Sequence, residues 1–446
     1  KADLAAWKNL SYLELAREVL ALYLTDYSRE FLAGATARTY GEAFGGKAGA
    51  TAPVHEGLYA LELWHGPTCA FKDYALQLMP RLLVEAKKTL GRTETTRILV
   101  ATSGDTGKAA LAGYAGLDGI EIQVFYPNAG TSEIQRLQMV TQEGENVQVY
   151  AVDGNFDDAQ TGVKRVFADA SVGAELEKRN IRLSSANSIN WGRLVPQIVY
   201  YFHAYFRLVE QGAAAWGQPV DFCVPTGNFG DILAGYYAKR MGLPVGKLVC
   251  ASNRNNVLTD FIRTGTYDAR REFYKTSSPS MDILISSNLE RLLYHVSGSS
   301  GKVSAWMREL AQTGTYTVDA ETLAAIQESF AAGYAGEAEC AEEIRARYEQ
   351  DGYLCDTHTA VAFRVAEACR GEAPMVVLST ASPFKFPRDV LAALGTQAPS
   401  GDFAAMAALE KKTGTCAPQS LRELDRKPVR FSEIIAPEEI RAAALR

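Results

Sequence analysis

Six short apolar runs rich in β-branched residues, each set apart from the next by helical texture, restrict the fold more than any other feature. They are "RILVA" (97–101), "IEIQVFY" (120–126), "VQVYAV" (147–152), "VDFCVP" (220–225), "KLVCAS" (247–252) and "MVVLS" (375–379). Runs of this kind separated by helices describe parallel strands covered on both faces and joined by right-handed crossovers. The expected fold is α/β, with two open, twisted, mostly parallel sheets flanked by helices. Ahead of the strands the first sixty residues read as helical: "LSYLELAREVLALYL" carries apolar residues at helical spacing behind Ser11 as cap. Residues 301–370 read as mostly helical and acidic, and the tail holds a polar stretch (396–418) followed by a charged helix. At 446 residues the chain calls for two or three domains.

Sheets of this type bind ligands at the carboxyl ends of their strands, so the loops there carry the functional reading. The first run leads into Thr102-Ser103-Gly104-Asp105-Thr106-Gly107 and a small-residue helix. Its glycines let N–H groups and hydroxyls converge on an anion at a helix N-terminus. It is not a Walker A loop, since Thr102 and Ala109 stand where Gly and Ser or Thr are required. The fourth run leads into Pro225-Thr226-Gly227-Asn228-Phe229-Gly230, then a helix from about Asp231 to Met241. This is a second cradle, large enough for a phosphate, and without the spacing of a dinucleotide fingerprint. The last run delivers Ser379 and Thr380 directly from a strand. Any one such loop also reads as a plain glycine turn with a capping hydroxyl.

A lysine adds chemistry to these loops. In "LWHGPTCAFKDYALQ" (63–77), Lys72 lies between apolar flanks. It is either a snorkelling charge at a helix start or a buried amine. Two glycine cradles, a strand-end hydroxyl and an apolar-flanked lysine together suggest a phosphorylated cofactor whose reactive group meets an amine, and pyridoxal phosphate fits.

Other classes are disfavoured. The net charge of −6 and the lack of a basic run interleaved with aromatics argue against nucleic acid. No apolar run approaches the roughly 18 residues of a membrane span. Seven cysteines without a Cys-x-x-Cys pair read as reduced cytosolic thiols, and five scattered histidines give no metal-ligand spacing, so no metal is expected. The chain opens at Lys1 rather than Met, which fits a native start further upstream.

The blocks "HGPTCAFKD", "ATSGDTG", "NSIN", "PTGNFGDILAGYYAKRMGLP", "PSMDILISSNLERLL" and "STASPFKFP", in order between Gly57 and Arg388, resemble threonine synthase. That is a pyridoxal-phosphate family of the tryptophan-synthase β type, or fold type II. Cysteine synthases and serine/threonine dehydratases share the lysine and the glycine loop but not "PSMDILISSN". The resemblance implies that Lys72 is the Schiff-base lysine. Gly227, Asn228, Phe229, Gly230 and Asp231 are implied to form the cofactor-phosphate loop, and Thr380 to face the pyridine nitrogen. It also implies that Ser103, Asp105 and Thr106 receive the substrate carboxylate, and it makes Asn187, Ser188, Asn190 and Arg193 candidates for the substrate phosphate. An Asn/Ser cluster equally serves loop hydrogen bonding, and Lys108, a further cationic candidate, is equally a solvated helix-start charge.

The implied domains are an N-terminal helical segment (1–60), a large cofactor-binding domain (61–92 and 205–395), a small substrate-binding domain (93–204) and a C-terminal extension (396–446). The cofactor is expected at the interface of the large and small domains. The implied reaction converts O-phospho-L-homoserine and water to L-threonine and phosphate in a cytoplasmic monomer. Two rivals stand beside it: a phospholyase giving 2-oxobutyrate, and a non-catalytic ligand-binding homologue.

Overall fold

The computed structural model describes residues 2–129 and 131–446. Its strands are β1 (Ala50–His55), β2 (Leu58–Glu62), β3 (Thr95–Ala101), β4 (Ile120–Pro127), β5 (Val147–Val152), β6 (Ile181–Ser185) and β7 (Val220–Pro225). There follow β8 (Val245–Ser252), β9 (Thr266–Asp268), β10 (Thr315–Thr317), β11 (Phe330–Tyr334), β12 (Met375–Ser379) and β13 (Ile434–Ile435). All six runs named above are strands. The larger sheet runs β1-β2-β12-β7-β8-β11 and the smaller β13-β5-β4-β3-β6, while β9 and β10 form a separate antiparallel pair. Apart from the β1–β2 hairpin, every pairing in the two main sheets is parallel. The strands of each sheet therefore discharge their loops at one edge, which gathers residues far apart in sequence.

The helical expectation for residues 1–60 holds to Phe44 and fails beyond it. From Ala50 the chain is strand, turned at Gly57 with φ of 72°. Pro53 cannot donate within a helix but is tolerated on β1, an edge strand. The tail also departs from expectation. The polar stretch contains the helix Asp402–Thr413, and β13 adds a parallel strand to the smaller sheet through Ile434 opposite Ala151. Residues 301–370 are mostly helical but also contain β10, only three residues long, and β11, the alanine-rich "FAAGY".

The N-terminal helices brace the lysine loop. Ser11 and Glu14 cap Tyr12–Ala21 reciprocally, and Tyr12 packs edge-on against Tyr40 and Tyr74. Tyr40 Oη donates to the Tyr74 carbonyl at 2.7 Å, and the Gly49 N–H donates to Tyr74 Oη at 2.7 Å. Tyr74 is two residues past Lys72, so this aromatic cluster fixes the backbone that carries the amine.

Candidate active site

Where the chain leaves β2 it is pinned to the exit of β12. The Leu63 N–H donates to the Ser379 carbonyl (2.9 Å), Phe71 N–H to Thr380 (2.8 Å) and Ser382 N–H to Cys69 (3.1 Å). Cys69 takes the left-handed conformation, φ 60°, to make the turn. Gly66 is required because a Cβ there would meet Asp73 Oδ2 at 2.5 Å. The Asp73 carboxylate folds back to accept from Thr68 N (2.8 Å) and Thr68 Oγ1 (2.7 Å), and burial raises its pKa to about 6. The loop thus holds Lys72 and Thr380 side by side.

Lys72 is a buried amine, not a snorkelling one: its residue is 8% exposed. Nζ lies 3.6 Å from Asp105 Oδ2 and donates to Ser280 Oγ at 3.4 Å. Burial pushes this ammonium below the ordinary lysine value. The Asp105 charge opposes that shift, and the Lys385 and Arg193 charges add to it.

The second loop is built as an anion cradle. Among the described residues, the N–H groups of Gly227, Asn228, Phe229 and Gly230 find no protein acceptor, and the helix Gly230–Met241 has no side-chain cap. Phe229 sits at φ 63°, which turns these donors toward one side at a cost of about 1–2 kcal/mol. At Gly227 a Cβ would lie 3.0 Å from Ile283 Cγ1 and 3.1 Å from the Ser280 carbonyl, so the backbone is already hemmed in. Asp231 is buried; its Oδ1 accepts from Tyr200 Oη (2.6 Å) and Tyr201 Oη (3.0 Å), and its Oδ2 has no partner. Burial raises its pKa to about 6, against those tyrosine bonds. Thr380 is a buried residue whose hydroxyl is, among the described residues, uncommitted, while its N–H donates to Thr359 Oγ1 at 3.3 Å.

The substrate candidates divide. Ser103 and Thr106 are half-buried at the start of the helix Asp105–Tyr114, ahead of which Thr102 Oγ1 accepts from the N–H groups of Gly104 and Gly107. The Asp105 carboxylate is already engaged by Lys385 Nζ at 2.6 Å, by Lys72 and by Gln135 Nε2 at 2.8 Å. Burial would raise its pKa, yet the two lysines hold it well below the ordinary carboxylate range. An ionised side chain so held has no proton to offer a carboxylate, unlike the backbone N–H groups and hydroxyls beside it.

Asn190 is occupied as a helix cap, its Oδ1 accepting from Gly192 N at 2.9 Å. Asn187 is exposed at the loop tip, and Ser188 Oγ shares a 2.9 Å hydrogen bond with Ser287 Oγ. Lys108 gives its ammonium to Gln142 Oε1 at 2.7 Å. Arg193 differs from all of these. It is 4% exposed and donates Nη1 to the Ala186 carbonyl (2.8 Å), but its Nε has no partner and no carboxylate pairs with it among the described residues. Burial lowers its pKa to about 10. An uncompensated buried guanidinium is costly and calls for an anion.

Two groups at the site escaped the sequence reading. Lys385, fully buried, binds both Asp105 and the Thr68 carbonyl (3.1 Å). Ser280 presents its hydroxyl to Lys72. Both stand inside blocks quoted above, but their partners are some 200 to 300 residues away in the chain, so no local spacing announces them.

Known proteins resemble this chain along most of its length. Residues 48–381 match the pyridoxal-phosphate dependent enzyme family, and residues 359–443 match the threonine synthase C-terminal family. Human threonine synthase-like 1 is 41% identical over 411 residues, covering 88% of this chain and 55% of that protein. The chain thus spans about half the length of the first curated relatives it matches. Threonine synthase of Pseudomonas aeruginosa is 42% identical over 89% of this chain and 83% of that protein. The crystal structure of a threonine synthase from Brucella melitensis with pyridoxal phosphate bound superposes with a TM-score of 0.88 at 37% identity, covering 99% of this chain and 90% of that one.

Proposed function

We propose, from the premise that this chain belongs to the threonine synthase family of pyridoxal-phosphate dependent enzymes, that it converts O-phospho-L-homoserine and water to L-threonine and phosphate. The observation that carries the substrate is Arg193, a buried guanidinium with no acidic partner, close enough to Lys72 for its charge to act on that amine. Such a group discriminates strongly for a dianionic substrate end.

The residues present fit the cofactor. Gly227–Asp231 offer unpaired backbone donors at a helix N-terminus for its phosphate, Lys72 an amine of lowered basicity for its aldehyde, and Thr380 a neutral hydroxyl for its ring nitrogen. When bound, pyridoxal phosphate supplies an aldehyde that condenses with amines and a ring that acidifies the hydrogen on an attached Cα. Lys72 Nζ then serves as base at the substrate Cα and again at Cβ, a role open to it because burial favours its neutral form. Asp105, shared with Lys385, keeps Nζ oriented. Arg193 holds the substrate phosphate as it leaves Cγ, and the Ser103–Thr106 loop holds the carboxylate at the other end. Gripping both ends fixes Cβ near Nζ, where water adds.

The reading assigns residues 61–92 and 205–395 to the cofactor lobe and 93–204 to the substrate lobe. All seven cysteines are free thiols, which suits the reducing cytoplasm. No helix among the described residues is long and apolar enough to cross a membrane. The test is phosphate release from O-phospho-L-homoserine by the protein and by Lys72→Ala. Loss of release in the variant supports the reading, and undiminished release would overturn the role of Lys72.

A further inference from the structure

The block "PSMDILISSN" has entered so far only as neighbours of Lys72, Gly227 and Ser188, and the buried "DTHT" stretch opens the helix Thr357–Cys369. Hydrogen bonds join them at a single carboxylate. Asp356 is wholly buried, and its two oxygens serve two different ends of the site. Oδ2 accepts from His358 Nδ1 at 2.7 Å; His358 Nε2 in turn accepts the Ser280 N–H at 3.1 Å, and Ser280 Oγ stands 3.4 Å from Lys72 Nζ. Oδ1 accepts from the Thr359 N–H at 3.0 Å and from the Thr359 hydroxyl, whose oxygen receives the Thr380 N–H at 3.3 Å.

We propose that Asp356 is a positioning residue that sets, through His358 and Thr359, both the Ser280 hydroxyl at the reactive amine and the Thr380 hydroxyl at the ring-nitrogen end. The proton inventory supports this. Nε2 faces a backbone donor, so it must be a bare acceptor, and the imidazole proton is confined to Nδ1, where Asp356 receives it. The Thr359 hydroxyl spends its one proton on Asp356 and has only lone pairs left for Thr380. Phe386 packs against the ring with centroids 5.1 Å apart and keeps it from rotating away. One carboxylate thus anchors the backbone of the two residues that carry those hydroxyls, and neither residue belongs to the helix it caps.

This inference rests on the proposed cofactor and reaction. Its test uses Asp356→Asn, His358→Leu and His358→Gln in the cofactor-loaded protein, read by the visible band of the bound cofactor, by cofactor affinity, and by kcat and KM for O-phospho-L-homoserine. Asn caps a helix as well as Asp, but its amide would donate to Nδ1 and drive the imidazole proton onto Nε2, donor against donor at Ser280. His358→Leu removes the acceptor, whereas the carbonyl of Gln restores an acceptor near the Nε2 position.

Asp356→Asn and His358→Leu are expected to shift the band and lower kcat by about tenfold or more with KM within about threefold, while His358→Gln recovers most of both. A wild-type band and rate in His358→Leu, or equal impairment in His358→Gln and His358→Leu, would overturn the proposal. Should Asp356→Asn fail to fold, the Leu and Gln pair decides alone. A wild-type protein that shows the band yet makes no threonine would sink the proposed reaction, and the comparison of bands would still decide this one.

Discussion

Arg193 buries a guanidinium that has one carbonyl partner and an unpaired Nε. Without ligand this is a liability to the fold, which the proposed substrate phosphate would relieve. Arg193→Met should therefore raise the unfolding midpoint of the ligand-free protein, because it replaces an uncompensated buried charge with apolar volume. The same change should weaken O-phospho-L-homoserine binding by about 1.5–3 kcal/mol. A midpoint that falls, or a KM that stays put, would place the guanidinium in a structural role instead.

Asp231 makes a pH prediction. Its folded pKa, about 6, lies above the ordinary 3.8, so between pH 4 and 6 the folded protein keeps a proton that the unfolded chain has lost. Stability should fall as pH rises through that window, at up to about 1.4 kcal/mol per pH unit for one group. Asp73 acts in the same sense. Asp231→Asn should flatten the profile partly, as measured by denaturant unfolding of the cofactor-free protein from pH 4 to 6. An unchanged slope would contradict the raised value. In the sequence, the apolar flanks of Lys72 left a snorkelling charge and a buried amine both open, and only the strand-end loops taken together favoured the amine. Lys385 and His358 drew no notice, because their partners Asp105 and Ser280 lie 280 and 78 residues away and leave no local trace.

The elements that were legible are those whose physics is local. A run such as "RILVA" needs two covered faces wherever it falls, and "PTGNFGD" turns a strand into a helix with few alternatives. The β1–β2 hairpin was missed because it follows forty mostly helical residues, and its "LYALE" is short and does not alternate. At the cradle, Gly227→Val should force the loop away from Ile283 and the Ser280 carbonyl, against which a Cβ already has only 3.0–3.1 Å. Cofactor affinity should fall at least tenfold in a titration while far-ultraviolet circular dichroism keeps the wild-type shape. Unchanged affinity would mean that the phosphate sits elsewhere.

On the scale of the molecule, the last residues complete the smaller sheet. Ile440, Ala443 and Ala444 are buried, Ile440 against Gly162, and buried Arg97 donates Nη1 to the Ala444 carbonyl at 2.7 Å. Removing residues 434–446 should uncover that face, strand Arg97 with Glu121 alone, and lower the unfolding midpoint by at least about 5 °C; an unaltered midpoint would show the tail to be an accessory. The central proposal is the synthase reaction, and product analysis in oxygen-labelled water tests it most directly. With pyridoxal phosphate and O-phospho-L-homoserine supplied, the expected products are L-threonine carrying one solvent oxygen on Cβ and an equal amount of phosphate. Phosphate accompanied by 2-oxobutyrate and ammonia instead of labelled threonine would contradict it.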